Sequence, residues 1–308
     1  MGSLFRLSLW FAQWPSQTAA VRIASVFARL LVLCNTEAAQ VTRANIKACF
    51  PEIDSDTQAA LALDSLRHMS LLFFEFAQLA HWHQDKLLDQ IVEINGKSFL
   101  DDAYANGKGV ILLVPHFGNW ELLCAFLGAH YNFAALYDPP KIASIEQVIL
   151  DARQRFRGEM FPIATGGMRS ILKVLKQGRL AAILPDQVPD RSAGVYADFF
   201  GQPALTMTLI SRMVRKDAPN VLVGSVERVL PGSESATQGR GDITYPAYRL
   251  NFETLPDAIE GKDATACATA INQAIERVVA RAPAQYQWEY KRFKRPPQSR
   301  KSSIYRRQ

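Results

Sequence analysis

The sequence lacks the short motifs that identify several large enzyme classes. It contains no GxSxG elbow of the α/β-hydrolases, no GxxxxGK[ST] phosphate loop and no GxGxxG dinucleotide-binding loop. Its four cysteines, Cys34, Cys49, Cys124 and Cys267, lie far apart and form no CxxC pair. This spacing argues against a zinc site or a redox motif and favours reduced, buried thiols in a cytosolic protein.

Long hydrophobic runs are also missing. The chain begins MGSLFRLSLWFAQWP, which is rich in Leu, Phe and Trp, yet no stretch reaches the roughly 18 uninterrupted apolar residues of a transmembrane helix. No small-residue cleavage site of a signal peptide is evident either. A full membrane span is therefore the weakest interpretation of this end of the chain.

Residues 1–36 instead predict a helical segment that associates with a membrane. They contain three arginines and no acid. In the stretch AAVRIASVFARLLVLC, the positions Arg22, Ser25 and Arg29 are three and four apart and form one polar stripe on an otherwise apolar helix. We interpret this as an amphipathic helix on an anionic membrane surface, with the preceding tryptophans at headgroup level. The alternative is a helix packed on the body of the protein.

The net charge of +6 comes from one end of the chain. Residues 290–308 contain eight of the 35 Lys and Arg and no acid, so the rest of the chain has 27 basic against 29 acidic residues, a net charge of −2. We treat residues 298–308 as a basic tail that follows the folded domain. Such a tail binds anionic lipid, an acidic protein or nucleic acid, or is merely solvated.

Between these ends the hydrophobic pattern alternates between strand and helix periods. After a helical region that ends near Trp82, strands are predicted at 91–94, 109–115, 132–137, 180–184 and 219–229, and helices at 97–105, 119–129, 144–157, 167–177, 205–216 and 264–281. Residues 243–254 predict a late strand, antiparallel and at the sheet edge. The alternation predicts one α/β domain, residues 37–297, whose mostly parallel central sheet is flanked by helices.

The hexapeptide HFGNWE places a base and an acid where an apolar run changes character. Residues 110–114 predict a strand buried on both faces, and the residues after it have helical spacing. His116 is therefore predicted at the carboxyl end of a parallel strand, the edge at which open α/β sheets bind ligands. Glu121 is predicted in the first helical turn, where a carboxylate suits the dipole. The alternative is structural, with Asn119 capping the helix and His116 as a loop histidine.

Two further segments carry candidate ligand-binding groups. The run ARQRFRG supplies Arg153, Arg155 and Arg157, and Arg169 follows at the next helix. Because an Arg fork pairs bidentately with phosphate, these side chains predict a phosphate site near the strand ends, with a solvated helix face as the alternative. A long polar loop after another predicted strand begins with Asp186 and Gln187. Loops in this position often carry function.

Four segments together resemble a known family. In order they are RANIKACFPE, HFGNWE after its hydrophobic strand, the DQ loop that runs into FFGQPALT, and the terminal block APAQYQWEYKRFKRPP. They resemble the late acyltransferases of bacterial lipid A biosynthesis, the lauroyl and myristoyl transferases, from Arg43 to Pro297. One departure is that Tyr137, Asp138 and Pro139 stand where the family has tyrosine, arginine and proline, which removes a cation from the acceptor site.

The resemblance implies a glycerolipid-acyltransferase-like fold and an H-x4-D/E motif, here His116 and Glu121, in which the histidine is the general base and the acid orients it. It implies an acyl carrier protein or coenzyme A thioester as donor, a phosphorylated glycolipid as acceptor, and a place on the cytoplasmic face of the bacterial inner membrane. We expect no metal and no organic cofactor. The residues expected to contact substrates are Asn119, Arg155, Arg157, Arg169, Asp186 and Gln187.

This assignment agrees with the chemistry of the residues. An acceptor hydroxyl must lose its proton as it attacks a thioester, and an imidazole with an ordinary pKa of about 6.5 suits that task. Two alternatives remain: the same chemistry on another glycolipid or lipid headgroup, such as a phosphatidylinositol mannoside, and a lipid-binding protein in which His116 is structural. Nucleic-acid binding through the tail gives HFGNWE no role, and we do not expect it.

Overall fold

The structure, a computed structural model, describes residues 2–298 and 303–305, apart from 141, 164–165, 215–218, 230–246, 256–258, 260 and 262. Its helices are α1 (Gly2–Ala12), α2 (Gln17–Leu33), α3 (Glu37–Cys49), α4 (Ser55–His81), α5 (Gln84–Leu88), α6 (Lys97–Ala105), α7 (Leu122–His130), α8 (Ala143–Gln154), α9 (Gly167–Lys176), α10 (Leu209–Met213) and α11 (Ala264–Arg281). Its strands are β1 (Ile91–Asn95), β2 (Val110–Leu113), β3 (Phe133–Tyr137), β4 (Glu159–Pro162), β5 (Leu180–Ile183), β6 (Gly194–Phe199), β7 (Gln202–Met207), β8 (Asn220–Val229) and β9 (Ala247–Thr254).

Seven of these strands form one sheet in the order β1-β9-β8-β2-β5-β3-β4. The five strands from β8 to β4 are parallel to one another, whereas β9 pairs antiparallel with β8 and parallel with β1. The predicted α/β class with a mostly parallel sheet is therefore confirmed. The late strand β9 is antiparallel to β8, as predicted, but its predicted place at the sheet edge is wrong because β1 pairs with its outer side.

Both faces of the sheet are covered. In β2, Ile111 and Leu113 belong to one hydrophobic core and Val110 and Leu112 to the other, because successive side chains of a strand point to opposite faces. The first core packs against α3, α9 and α11, and the second against α5, α6 and α7. Burial on both faces explains why this strand is a continuous apolar run in the sequence.

The loop after β5 contains an element that the sequence pattern does not predict. β6 and β7 form a separate antiparallel hairpin, so the predicted helix at 205–216 is wrong in its first residues, and α10 begins only at Leu209. The hairpin turn uses Phe200 and Gly201, with φ of 48° and 67°. Left-handed φ at a phenylalanine is uncommon, which is why the turn has no clear sequence signal. Two parts of the predicted elements lie outside the described residues: the end of the helix predicted at 205–216 and the first residues of the strand predicted at 243–254.

The N-terminal helix α2 lies on the body of the protein. Its Ala20, Ala24 and Ala28 are at most 1% exposed and pack on the long helix α4, which contributes Leu71 and Leu66. Spacing of four residues places the three alanines on one face, where their small side chains allow close approach of the helices. For the alanine face of α2, the structure therefore shows the alternative that the sequence left open, a helix packed on the body of the protein.

The opposite face of the N-terminal helices is apolar and exposed. Among the described residues, ten of the 16 large hydrophobic side chains that are exposed lie in α1, α2 and their connection: Leu4, Leu7, Trp10, Phe11, Trp14, Ile23, Val26, Phe27, Leu30 and Leu33. No helix in the described ranges is by itself long and apolar enough to cross a membrane, although α2 and α3, bent by 86° at their junction, together pass that test of length and composition.

Candidate active site

HFGNWE forms the turn between β2 and α7. Gly118 has φ of 59°, and a Cβ at this position would lie 1.6 Å from the carbonyl oxygen of Val226 on β8, so only glycine fits. The Asn119 amide donates to that same oxygen at 3.1 Å. The turn is also bridged from the other side, where Phe117 pairs with Tyr286 of the C-terminal block. These contacts fix the backbone of the histidine turn against two distant segments.

His116 is held by Asp186 rather than by Glu121. The Nδ1 atom of His116 lies 2.7 Å from Asp186 Oδ1, and the backbone amide of His116 donates to Oδ2 at 2.8 Å. The side-chain amide nitrogen of Gln187 lies 3.2 Å from His116 Nε2. With Nδ1–H donated to the carboxylate, Nε2 is the atom of the ring that can accept a proton.

Sheet register explains this meeting of residues 70 positions apart. The neighbouring parallel strands β2 and β5 pair Leu113 with Ile183. His116 and Asp186 each lie three residues beyond that pair, so both reach the same edge of the sheet. Asp186 was predicted only as a substrate contact. The equal offset of the two residues from their buried runs points to the contact only once β2 and β5 are known to be neighbours.

The charge of Asp186 is maintained despite burial. Burial alone would raise the pKa of this carboxyl group, but the attraction of His116 and the hydrogen bonds from its ring and backbone outweigh burial, so the pKa of Asp186 lies below its usual value. A buried carboxylate against Nδ1 fixes the ring orientation and favours the protonated imidazole that forms when Nε2 takes a proton.

Glu121 has a different partner, which corrects the predicted geometry. Arg153 donates from Nε to Glu121 Oε2 at 2.9 Å and from a terminal nitrogen to Oε1 at 2.5 Å. Glu121 also lies one residue before α7 rather than in its first turn. Burial alone would lower the pKa of Arg153, but the attraction of Glu121 raises it overall, so the guanidinium stays charged. A catalytic role of Glu121 remains a prediction, whereas the contact expected with the imidazole belongs to Asp186.

These groups open onto a cavity of about 610 Å³ at the carboxyl ends of β2, β5 and β3. The interior wall is apolar and buried, and includes Leu127, Phe133 and Met160. The polar part of the lining includes His116 and Gln187. The Trp120 indole packs edge-on against the His116 ring, with 5.0 Å between ring centroids. A cavity with an apolar interior and a histidine on its wall suits a ligand that joins a hydrocarbon chain to a polar reacting group.

The other predicted substrate contacts are not in the cavity wall. Asn119 is 4% exposed, and its backbone amide donates to the carbonyl oxygen of Val226 on β8, so it belongs to the framework. Arg155 donates to the carbonyl oxygens of Leu79 and Ala80 at the end of α4. Arg157 and Arg169 are exposed and do not line the cavity.

Two arginines of the described residues line the cavity, Arg153 and Arg212. Arg153 belongs to the predicted phosphate-binding cluster, whereas Arg212 on α10 was not predicted as a ligand contact. Arg212 follows the unpredicted hairpin, so the sequence pattern gave no reason to place it at the ends of the sheet strands. Within the described ranges, no three His, Cys, Asp or Glu side chains are grouped in a way that would hold a metal ion.

The basic C-terminal block holds the loop that carries Asp186. The Val188 amide donates to the Tyr290 hydroxyl at 2.9 Å, and Arg295 donates to the Pro189 carbonyl at 2.7 Å and to the Asp190 carboxylate at 3.0 Å. Tyr290 and Arg295 of this block are therefore folded against the loop that carries Asp186. Arg292 is 3% exposed and donates to the carbonyl of Leu205 on β7 at 2.7 Å.

Comparison with known proteins agrees with the motifs. Residues 5–295 match the family described as Bacterial lipid A biosynthesis acyltransferase. The chain is 26% identical over 271 residues to the lipid A biosynthesis palmitoleoyltransferase of Escherichia coli, covering 86% of this chain and 81% of that protein. It is 23% identical to a lipid A biosynthesis acyltransferase of Haemophilus influenzae, with 87% and 81% covered. The E. coli lipid A biosynthesis lauroyltransferase is 22% identical, with 94% and 90% covered.

Proposed function

Since this chain belongs to the bacterial lipid A biosynthesis acyltransferase family, we propose that it transfers a fatty acyl chain from an acyl carrier protein thioester to a hydroxyl group of a lipid A precursor. One observation carries the proposal: an imidazole oriented by a buried carboxylate stands on the wall of a cavity whose interior is apolar. The apolar interior would hold the acyl chain, and the imidazole would act where the chain meets its thioester.

In the proposed reaction, the acceptor hydroxyl gives its proton to His116 Nε2 while its oxygen attacks the thioester carbonyl carbon. The tetrahedral intermediate then loses the thiolate, as the carbon–sulfur bond breaks and the imidazole returns the proton to sulfur. Asp186 fixes the ring and stabilises the imidazolium between the two steps. Gln187 contacts Nε2 at 3.2 Å and would yield that position to the acceptor hydroxyl. No covalent acyl-enzyme is needed, because the nucleophile belongs to the substrate.

We propose that Glu121 helps to stabilise the negative charge that develops on the thioester carbonyl oxygen, and that it does not orient the imidazole. It holds Arg153 through two hydrogen bonds in the cavity wall. A guanidinium fixed before the reaction can stabilise an oxyanion without reorganisation, which is the usual source of large electrostatic effects in catalysis. In this assignment both members of the H-x4-E motif contribute to catalysis, but through different partners.

Membrane association is the second part of the proposal. The exposed apolar face of α1 and α2 includes Trp10, Phe27 and Leu30, and Arg22 and Arg29 are exposed beside it. An apolar face bordered by arginines suits the boundary of an anionic leaflet. We propose that it holds the enzyme on the cytoplasmic face of the inner membrane, where the glycolipid acceptor lies and where an acidic carrier protein can approach the basic side chains near the cavity.

The test of the chemistry is acyl transfer in detergent micelles, from a panel of acyl carrier protein thioesters to a tetra-acylated lipid A precursor. His116→Ala should lower the rate of acyl transfer by about 10²- to 10⁴-fold if the imidazole is the general base. The free energy of unfolding of this variant should equal that of the wild type. His130→Ala is the matched control, because His130 is an exposed histidine at the end of α7. Transfer that persists in His116→Ala would overturn the mechanism, and wild-type protein that transfers no chain with any donor would overturn the acceptor or donor assignment.

The test of membrane binding is flotation with vesicles that contain anionic phospholipid. The double variant Phe27→Ser and Leu30→Ser should bind less, because both side chains are about half exposed on α2. The control is Ile94→Ser with Phe99→Ser, which removes exposed apolar side chains elsewhere on the protein. Equal loss of binding in the two double variants would contradict the assignment of this face.

A further inference from the structure

The cavity wall has an uneven distribution of positive charge. Two arginines of the described chain line it, Arg153 and Arg212. Arg153 is charged but is already paired, because Glu121 accepts two hydrogen bonds from its guanidinium. Among the described residues, Arg212 is therefore the arginine of this lining that forms no ion pair with a carboxylate of the lining.

Arg212 is placed for contact with a ligand at the mouth of the cavity. It lies on α10, immediately after the β6–β7 hairpin, and is exposed while also lining the cavity. Its backbone amide donates to the carbonyl of Thr208, and its guanidinium makes no hydrogen bond or ion pair with any part of the chain that the structure describes. Asp190 and Asp138 also line the cavity. Asp190 forms an ion pair with Arg295. Asp138 follows β3, and β5 lies between β3 and β2, the strand that precedes His116.

We infer that Arg212 binds a phosphate group of a substrate at the mouth of this cavity while the acyl chain occupies the apolar interior. A guanidinium presents five N–H donors in a planar fork that matches phosphate oxygens. The inference rests on the proposed function, because both proposed substrates carry phosphate: the donor in the phosphopantetheine arm of its carrier, and the acceptor on its sugar. It replaces the predicted phosphate contacts at Arg155, Arg157 and Arg169, which do not line the cavity.

Paired substrates with and without phosphate distinguish the two sources. For the donor, the acyl carrier protein thioester is compared with the same acyl chain on N-acetylcysteamine, which has the thioester and no phosphate. For the acceptor, the phosphorylated precursor is compared with the phosphatase-treated one. Arg212→Ala and Arg212→Lys are measured with Arg277→Ala as the control, because Arg277 is an exposed arginine on α11 that does not line the cavity.

The expected result is a rise in KM of roughly 10- to 100-fold in Arg212→Ala, the range for loss of hydrogen bonds to a charged group, with kcat within about threefold of wild type. The rise should occur for one substrate and disappear in its phosphate-free form, which identifies the source. Arg212→Lys should recover part of the affinity, because it keeps the charge and loses the fork. Equal KM changes with and without phosphate, or no change, would overturn the inference.

A binding measurement separates failure of this inference from failure of the proposed function. If the wild type transferred no acyl chain, the proposed function would fail, and the Kd of the phosphorylated and dephosphorylated precursors in micelles would then be compared directly by tryptophan fluorescence, since Trp120 lines the cavity. A preference for the phosphorylated lipid that is lost in Arg212→Ala and kept in Arg277→Ala would support the phosphate site. Equal affinities in wild type and Arg212→Ala would refute it.

Discussion

Two arginine–glutamate pairs of the same geometry occupy two different regions of the molecule. Arg228 on β8 pairs with Glu75 on α4, and their side chains are 2% and 3% exposed. Arg153 pairs with Glu121 at the cavity, where the side chains are 21% and 9% exposed. In both pairs, two guanidinium nitrogens donate to the two oxygens of one carboxylate.

The difference lies in what surrounds each pair. Glu75 also accepts a hydrogen bond from the Tyr248 hydroxyl at 3.1 Å. The side-chain amide of Gln285 accepts from the Arg228 backbone amide at 2.8 Å and donates to the Arg228 carbonyl at 2.9 Å. This enclosed cluster joins the long helix to the sheet. The pair at the cavity has an open side instead. Identical ion-pair chemistry thus serves the framework in one place and faces a ligand space in the other.

The largest effect should come from the cavity region, and it should be on turnover. Asp186→Asn keeps the shape of the side chain and removes the charge that orients His116, so we expect kcat to fall by about 10²- to 10⁴-fold. Glu121→Gln in the same assay shows whether the second carboxylate also acts in the reaction. A similar turnover of Asp186→Asn and wild type would remove His116 and Asp186 from the proposed mechanism. Circular dichroism establishes that each variant is folded.

The next largest effect should come from the framework region, and it should be on stability. Glu75→Ala leaves the Arg228 guanidinium buried without its carboxylate, which costs about 3–5 kcal/mol of unfolding free energy. Glu121→Ala should cost less, because water can reach Arg153 through the cavity. Urea unfolding of both variants gives the difference. A larger loss of stability in Glu121→Ala would reverse the comparison of the two pairs.

Glu289 lies between the two regions and tests how burial acts on a single carboxyl group. Burial raises its pKa from 4.5 to about 7, although Gln287, His116 and Arg228 act in the opposite direction. Its Oε2 is buried without a hydrogen-bond partner among the described residues. Between pH 4.5 and 7 the folded state therefore binds more protons than the unfolded state, so this group lowers stability as the pH rises through that window.

Glu289→Gln removes this titration and should stabilise the protein at pH 8 by roughly 1–3 kcal/mol, a range discounted for partial solvent access. At pH 5, where the wild-type group is protonated in the folded state, the difference should be small. Unfolding midpoints in urea at the two pH values provide the measurement. The same difference at pH 5 and pH 8 would contradict a raised pKa of Glu289.

Much of the framework follows from local pattern alone. The residue ranges predicted for α6 and α11 agree with the structure, because each combines helical periodicity with clear flanking signals. β4 was missed because it has four residues and ends in Pro162, which gives too little alternation to recognise. β6 and β7 were missed because their turn places Phe200 in a conformation that phenylalanine seldom adopts.

The site was predicted less completely than the fold, for a physical reason. The spacing of His116 and Glu121 is a local feature, and it directed attention to the nearer acid. The contact with Asp186 depends on which strands are neighbours and in what register, and a single sequence does not determine either. Arg155 was predicted from its charge alone, whereas its actual partners are carbonyl oxygens at the end of α4.

The smallest effect should come from the contact that links the C-terminal block to the site. Tyr290→Phe removes a hydroxyl group that accepts a hydrogen bond from the Val188 amide at 2.9 Å. Val188 lies two residues after Asp186. The loss of one such hydrogen bond is worth about 0.5–1.5 kcal/mol, so we expect kcat to fall by roughly two- to tenfold as the loop loosens. Tyr104→Phe is the matched control, because the Tyr104 hydroxyl accepts from the Asn132 amide at 3.2 Å and does not line the cavity. If both variants lost the same fraction of activity, the effect would be one of general stability, and the C-terminal block would have no specific part in positioning Asp186.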